Sequence, residues 1–356
     1  MRSSHTLEVL QKGFPGCLRE QKHEIERRYD MKAMVIVQGK EGGRLQLRDV
    51  PRPEPGPDDL LMRVKATTVN RADLYQLQGT YDPTKKPVEG IAGLEAAGEV
   101  AGMGKNVSGF SMGDRIMGLC GGGYAEYTTL DYRLALPAPG GLSWEEAATI
   151  PLGYMTEYNA MIMNACLQPG EAVLVHAAAA GVGVTAIQIA KFYGAKLVMG
   201  TDSPEEKLKV LQDFGLDLGI DYRRKDFADA VLDATEGKGA DVIIDHVGGP
   251  YLKDNLRSMA VKGRLVSVGR LGGTTGELDL ELMAFKRLQL IGVTFRTRTM
   301  EEKIAIAQGV VDNLLPAIAD GRLKPIIDRI FSLDQAPEAQ AYMGSNAQIG
   351  KIVLKV

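Results

Sequence analysis

Histidine and cysteine are scarce in this chain. Of its 356 residues, four are histidine and three are cysteine. Cys17, Cys120 and Cys166 are scattered, odd in number and form no C-x-x-C pair. That argues against a disulfide framework and fits a reducing compartment. His5, His23, His176 and His246 are too far apart in sequence to assemble a metal cluster by spacing. An excess of charge of one sign is also missing. Forty-two basic residues against forty-five acidic ones leave a formal net charge of -3, so nothing favours a nucleic-acid or anionic-membrane partner. Met1 to Asp30 lacks the apolar centre of a secretory signal and carries too many acidic residues for a transit peptide. The one long apolar window, Ala172 to Ala190, is interrupted by His176, Gly181 and Gly183. It reads as strand, turn and helix rather than a membrane span. A soluble, cytoplasmic protein is expected.

What is present is an ordinary globular composition, 45% hydrophobic and 24% charged, with forty-two glycines. Residues 1–30 form a polar extension outside the fold, with a weak helical pattern over Leu18–Tyr29. From Met34 to about Pro151 short apolar runs (Ala33–Val37, Leu60–Thr67, Gly98–Ala101, Arg115–Gly118, Tyr124–Thr129) alternate with turn clusters, predicting a compact, partly open β-barrel. From about Gly170 the pattern changes. Six strand-length runs begin at Ala172, Lys196, Asp217, Asp241, Arg264 and Leu288, with helix-like segments over Val182–Tyr193, Pro204–Phe214, Lys225–Glu236 and Leu252–Ala260. Strand–helix alternation of this kind predicts an α/β doubly wound parallel sheet. The tail returns to short strands, Ile326–Phe331 and Lys351–Val356.

The sharpest local feature is the run Glu171–His176 followed by Ala177-Ala-Ala-Ala-Gly-Val-Gly183. A strand enters a turn of small residues that opens an apolar helix. Unpaired N–H groups and the helix dipole there favour an anion, and small side chains let a diphosphate approach. In the usual G-x-G-x-x-G frame the three positions are Ala178, Ala180 and Gly183, so a turn without ligand stays open as a second reading. Asp202 lies 19 residues after Gly183. A carboxylate there accepts hydrogen bonds from the ribose hydroxyls of NAD and repels the 2′-phosphate of NADP. Ser203-Pro204-Glu205-Glu206 reads as an N-cap, N1 proline and capping box.

Gly170-Glu171-x-x-Leu174, Ala178 to Gly183 and Gln188-x-x-Lys191 resemble the quinone oxidoreductase signature of the medium-chain dehydrogenase/reductases, with Ala180 replacing a glycine. Gly93-x-Glu95-x-x-Gly98-x-Val100-x-x-x-Gly104-x-x-Val107 and Gly113-Asp114-Arg115 are similar to the GroES-like catalytic domain. Gly350-Lys351-Ile352-Val353-Leu354 fits the ending. Asn70-Arg71-Ala72-Asp73-Leu74, Gln78 to Pro83 and Phe295-Arg296-Thr297-Arg298 resemble the subgroup containing the p53-inducible quinone oxidoreductase. The resemblance implies a GroES-like β-rich catalytic domain over 31–151 and 324–356, and a Rossmann dinucleotide-binding domain over 152–323. It implies no zinc, because Asn70, Leu94 and Leu152 stand where zinc-dependent relatives place Cys, His and Cys. It also implies a homodimer formed through the strand near Leu288–Thr294.

Without a Lewis acid the acceptor must already be electrophilic, as a quinone or α,β-unsaturated carbonyl is. The resemblance then implies a NAD(P)H:quinone oxidoreductase. By it, Tyr81 donates to the developing oxyanion and Asn70 bonds near nicotinamide or acceptor. Thr156 meets the nicotinamide. Lys207 and Tyr222 approach a 2′-phosphate. Ala180, Gly181, Val182, Gly183, Asp202, Ser203, Val247, Gly269, Phe295, Arg296 and Lys351 complete the cofactor contacts. NADPH is the implied cofactor, with NADH left open by Asp202; Arg223 and Arg224 read either as an offset to its charge or as solvated side chains. Tyr81 also reads as a packed loop aromatic, Asn70 as a turn residue before a helix, and His176 as a packing residue. An enone, 2-alkenal or enoyl-thioester reductase on the same fold remains an alternative. So does a non-enzymatic dinucleotide-binding structural or RNA-binding protein, against which the balanced charge weighs.

Overall fold

A computed structural model describes residues 30–39, 42–79 and 90–356. The predicted extension therefore lies outside the described residues, except Asp30, which opens the first strand. Strand β1 (Asp30–Gly39) pairs along its whole length with β2 (Gly42–Pro51), and β4 (Gly90–Ile91) borders its other edge. A larger sheet contains β3 (Asp59–Val69), β5 (Glu95–Met103), β6 (Arg115–Leu119) and β8 (Ala135–Pro137), with β7 (Tyr127–Asp131) also paired to β3. The tail supplies β15 (Ile327–Ser332) and β16 (Lys351–Lys355), which extend this same sheet in the order β15-β16-β3-β5-β6-β8. Helix α1 (Arg71–Leu77) follows β3 directly.

Helices α2 (Trp144–Ala148) and α3 (Ile150–Glu157), and a π-helical stretch over Tyr158–Asn164, lead into the second half. There β9 (Ala172–His176), β10 (Leu197–Asp202), β11 (Leu218–Asp221), β12 (Ala240–Asp245), β13 (Met259–Ser267) and β14 (Gln289–Gly292) form one sheet. Its order is β11-β10-β9-β12-β13-β14 and every pairing is parallel. That is the doubly wound order 3-2-1-4-5-6, whose switch point falls between the first and fourth strands. The helices between these strands are α4 (Gly181–Phe192), α5 (Glu205–Leu211), α6 (Phe227–Ala234), α7 (Leu252–Ser258) and α8 (Leu280–Lys286). All five residues of β9 are buried, which explains its unbroken apolar run.

Each of the six apolar runs of the second half becomes a strand, although β13 begins at Met259, inside the stretch read as helix over Leu252–Ala260. Several elements do not follow from the sequence reading. Strand β2 shows no period to read, because among its ten residues only Leu45 is buried. Helix α9 (Met300–Asn313) starts from a capping box in which Thr299 and Glu302 exchange hydrogen bonds, and buries Ile306, Ala307 and Val310. Helices α10 (Leu315–Ala319) and α11 (Ala336–Gly344) are short. The cap expected at Ser203 is corrected. The first turn of α5 accepts through Pro204 O, from Lys207 N at 3.1 Å, while Ser203 N–H donates to Asp202 Oδ1 at 2.8 Å. Pro204 is the cap, and α5 begins at Glu205. Among the described residues, no helix is long and apolar enough to cross a membrane.

Gly183 fixes how α4 sits on β9. A Cβ there would lie 2.2 Å from Ala177 O and 2.8 Å from Ala178 O. These are backbone atoms that cannot rotate away. Gly183→Ala is expected to cost about 1–3 kcal/mol of unfolding free energy in urea titration. An unchanged midpoint would show that the turn can move.

Candidate active site

The turn after β9 is built from backbone bonds. Ala178 N–H donates to Thr201 O at 3.0 Å, Ala180 N–H to Ala177 O at 3.0 Å, and Ala179 N–H to Asp202 Oδ2 at 2.9 Å. The first i→i−4 bond of α4 runs from Val184 N–H to Ala180 O at 2.9 Å. The N–H groups of Gly181 and Val182 come before it, so the helix itself supplies them no acceptor. Gly181 is required by its neighbour: a Cβ would stand 2.4 Å from Lys351 Cδ. The cradle therefore fits a diphosphate in shape and in polarity.

This turn opens into a cleft of about 2040 Å³ between the two halves of the molecule, larger than one small ligand needs. Asn70, Thr156, Ala180, Gly181, Val182, Asp202, Ser203, Lys207, Tyr222, Val247, Gly269, Phe295, Arg296 and Lys351 all line it. Gly183 does not line it, since it packs beneath the turn. Tyr81 lies outside the described residues.

At the far end of the cleft, Asp202 is fixed by Ala179 N–H on one oxygen and Ser203 N–H on the other. Its remaining lone pairs belong to the cleft. Lys207 is committed elsewhere: its ammonium donates to Asn346 O at 2.5 Å and Gln348 O at 3.2 Å. Tyr222 is partly exposed and meets Tyr251 edge-on, centroids 6.2 Å apart. Arg224 pairs with Asp221 and Glu205, at 3.5 and 3.7 Å, rather than offsetting Asp202. Arg223 does line the cleft.

The other end contains a buried polar cluster. Glu95, fully buried, accepts on Oε1 from Lys351 Nζ at 2.6 Å, from Asn70 Nδ2 at 3.0 Å and from Thr68 Oγ1. Its Oε2 accepts from Leu152 N–H at 2.7 Å. Lys351 also donates to Asn70 Oδ1 at 2.6 Å. So Asn70 is both the cap of α1 and a member of this cluster. The three positions Asn70, Leu94 and Leu152 present an amide and two hydrocarbon chains. That donor set does not fit zinc, which needs thiolate, imidazole or carboxylate. Behind Asn70, Asp73 accepts from Asn70 N–H at 2.7 Å and Tyr124 O–H at 3.0 Å. Burial pushes its carboxyl up to about 7 from an ordinary 3.8.

His176 packs as expected, edge-on to Phe227 and Tyr251, with ring nitrogens on Thr201 Oγ1 at 2.7 Å and Asn255 Oδ1 at 2.6 Å. Burial lowers its basicity. The sequence reading gave no role to Glu95, Glu157 and His246, buried ionisable groups at or behind the cleft. Glu95 stood inside a quoted motif without a role. Glu157 was legible as a lone charge in the apolar helical run from Ile150 to Met163.

A six-stranded dinucleotide sheet facing a β-rich domain across a shared cleft defines the class as a medium-chain dehydrogenase/reductase. Family models agree: "Alcohol dehydrogenase GroES-like domain" matches residues 56–140 and "Zinc-binding dehydrogenase" residues 181–309. Human quinone oxidoreductase is 34% identical over 316 residues, 87% of this chain and 93% of that protein. A quinone oxidoreductase-like protein 2 homolog from Nematostella vectensis is 32% identical over 303 residues, 84% of this chain and 82% of that protein. A mycobacterial structure in complex with NADPH superposes with a TM-score of 0.81 at 30% identity, covering 92% of this chain and 100% of that one. The chain belongs to the quinone oxidoreductase family of the medium-chain dehydrogenase/reductases, and it is an oxidoreductase with a nicotinamide-dinucleotide site.

Two measurements check the polar cluster. Lys351→Met leaves Glu95 buried without its ammonium and is expected to cost about 3–5 kcal/mol in urea unfolding. Adding Glu95→Gln should recover part of that loss; a double variant no more stable than the single one would refute the coupling. For Asp73, the folded value lies above the unfolded one. Its contribution to stability is full below about pH 4 and is lost as pH rises through about 7. Asp73→Asn should remove this loss. Equal pH slopes for wild type and variant between pH 4 and 7.5 would contradict it.

Proposed function

We propose that the chain reduces quinones and related conjugated carbonyl compounds, using a reduced nicotinamide dinucleotide and no zinc. The observation that carries this reading is the Lys351–Asn70–Glu95 cluster, in which Asn70 stands at one of the positions where zinc-dependent relatives hold their metal, with Leu94 and Leu152 at the other two. A bound dihydronicotinamide supplies the hydride. The chain's own task is to orient the acceptor and stabilise the oxygen on which negative charge develops. An ammonium has three N–H bonds, and Lys351 places two on Asn70 and Glu95. That leaves one N–H for an acceptor oxygen in the cleft that Lys351 lines. Thr156 and Phe295 line the same cleft, and the first turn of α4 offers Gly181 and Val182 N–H to the diphosphate.

Between the two dinucleotides we take Asp202 as the deciding group. It is held rigidly at the end of β10, and a 2′-phosphate beside it would meet like charge with Lys207 and Arg224 committed elsewhere, which leaves Arg223 on the cleft wall to compensate. NADH is therefore the favoured donor and NADPH the weaker one, in contrast to the expectation from the subgroup. A homodimer accompanies this reading. β14 is an edge strand, and Leu280 and Phe285 of α8 next to it are 68% and 76% exposed, apolar surface that a second copy would cover. A reducing, cytoplasmic setting is proposed with it, since Cys120 and Cys166 are free thiols.

The test is a panel of quinones, 2-alkenals and acyl-CoA enoyl thioesters, followed by loss of dihydronicotinamide absorbance, with elemental analysis of the purified protein. Quinone turnover with NADH preferred is expected. Asp202→Ser should shift the kcat/KM ratio toward NADPH by about tenfold, which is about 1.4 kcal/mol. Faster turnover of enoyl thioesters than of every quinone would replace the acceptor class. Stoichiometric zinc would overturn the metal-free chemistry.

A further inference from the structure

A second pair of buried ionisable groups lies along the cleft, apart from the Lys351 cluster. His246 follows β12 and lines the cleft, and Glu157 ends α3 behind it. Neither side chain is exposed beyond a few per cent. The hydrogen bonds of His246 decide where its protons sit. Nδ1 meets the backbone oxygen of His176 at 2.7 Å, an acceptor only, so Nδ1 carries a proton. Nε2 meets Glu157 Oε1 at 3.0 Å. One further proton therefore fits between imidazole and carboxylate, and the pair exists with it or without it. Glu157 Oε2 has no partner among the described residues, so the carboxylate depends on that one contact.

The neighbouring polar groups are committed to one another and do not compete for this proton. His176 is committed to Thr201 and Asn255, and Asn255 Nδ2 donates to Asp245 Oδ2 at 3.3 Å. Asp245 Oδ1 accepts from Val247 and Gly248 N–H. The ionisable groups facing His246 are thus Glu157 from α3, His176 from β9 and Asp245 from β12, with Arg270 after β13 lining the same cleft. Burial works against the imidazolium, but Glu157, the His176 carbonyl and Asp245 outweigh it, and His246 is held above its ordinary value of 6.5.

We propose that Glu157 and His246 form a buried proton store whose affinity is set by the charge of the nicotinamide in the cleft, and which supplies the proton taken up by the reduced acceptor. The inference rests on the reductase reading above. Hydride addition to a quinone leaves a hydroquinone mono-anion. Its oxygen then takes a proton through cleft water: an imidazolium N–H bond breaks, an O–H bond forms, and neutral His246 remains beside the Glu157 carboxylate. No electrons move in this step, and solvent restores the proton. The coupling has a physical cause. Oxidation places positive charge in the ring, and like charge nearby disfavours the imidazolium. Proton release is thereby timed to follow hydride transfer.

The test uses the whole protein labelled with ¹⁵N-histidine, whose four histidines keep the spectrum simple. The ring nitrogens of His246 are titrated in three states: free, with NAD⁺, and with NADH in the absence of acceptor. The expected result is a His246 midpoint about one unit lower with NAD⁺ than with NADH. Equal midpoints in the two bound states would overturn the proposal while leaving the reductase reading intact. Absence of binding by both dinucleotides would overturn both. Glu157→Gln supplies an independent readout. It should lower the His246 midpoint and move the alkaline decline of kcat to lower pH by about a unit or more, with little change in KM for the acceptor. A uniform fall in kcat at every pH would mark the pair as structural and refute the proposal. The wild-type titration decides the matter even if the variant does not fold.

Discussion

One carboxylate holds the two ends of the catalytic half together. Glu95 is fully buried, and a buried carboxylate must find compensating charge and hydrogen bonds or lose its ionised state. Here it finds them in β3, in the cap of α1, at the start of α3 and in β16. The partners come from three separate stretches of chain, Thr68 with Asn70, Leu152 and Lys351, so satisfying this single group fixes their relative positions. The lysine that does most of the work also packs its hydrocarbon stem against Gly181. The polar cluster and the dinucleotide turn are thus not independent: the same side chain neutralises one and shapes the other.

The cleft has opposite electrostatic characters at its two ends. Near Asp202 the wall offers an anchored negative charge, suited to a neutral diol. Near Lys351 it offers an ammonium and an amide, suited to an oxygen gaining negative charge. Between them lie the small residues of the turn and the apolar contributions of Val247, Val268 and Phe295. Such a gradient favours one direction for a long, polar ligand lying along the cleft.

Much of this was legible in the sequence where burial is one-sided or complete. The strands β9, β10 and β12 carry apolar cores on both faces because both are covered, and the turn after β9 announces itself through small residues. The resemblance then placed Asn70, Thr156 and Lys351 on a common cleft. What escaped was of two kinds. Strand β2 is held by backbone pairing and has almost no apolar face, so period-two reasoning has nothing to detect. The pairings of Lys351 with Glu95 and of His246 with Glu157 join residues far apart in sequence, and spacing rules reach only neighbours. Lys207 and Arg224 show the same limit from the other side. Lys207 suited a phosphate and Arg224 an offset to Asp202, but nearby carbonyls and carboxylates claim them first.

The order of strands in the larger sheet has a consequence for how the chain reaches its native state. β3 pairs with β16, yet the entire six-stranded nucleotide domain lies between them in sequence. Long-range pairings of this kind close late, because a large loop must be organised before they reward the chain. The nucleotide half consists of neighbouring strand–helix units and can assemble from local contacts. Until the tail docks, the edge of β3 that will receive β16 remains unpaired, an open template for wrong partners. Lys351 arrives on that same late strand. The reactive cleft is therefore assembled only in chains that have already completed their most demanding topological step.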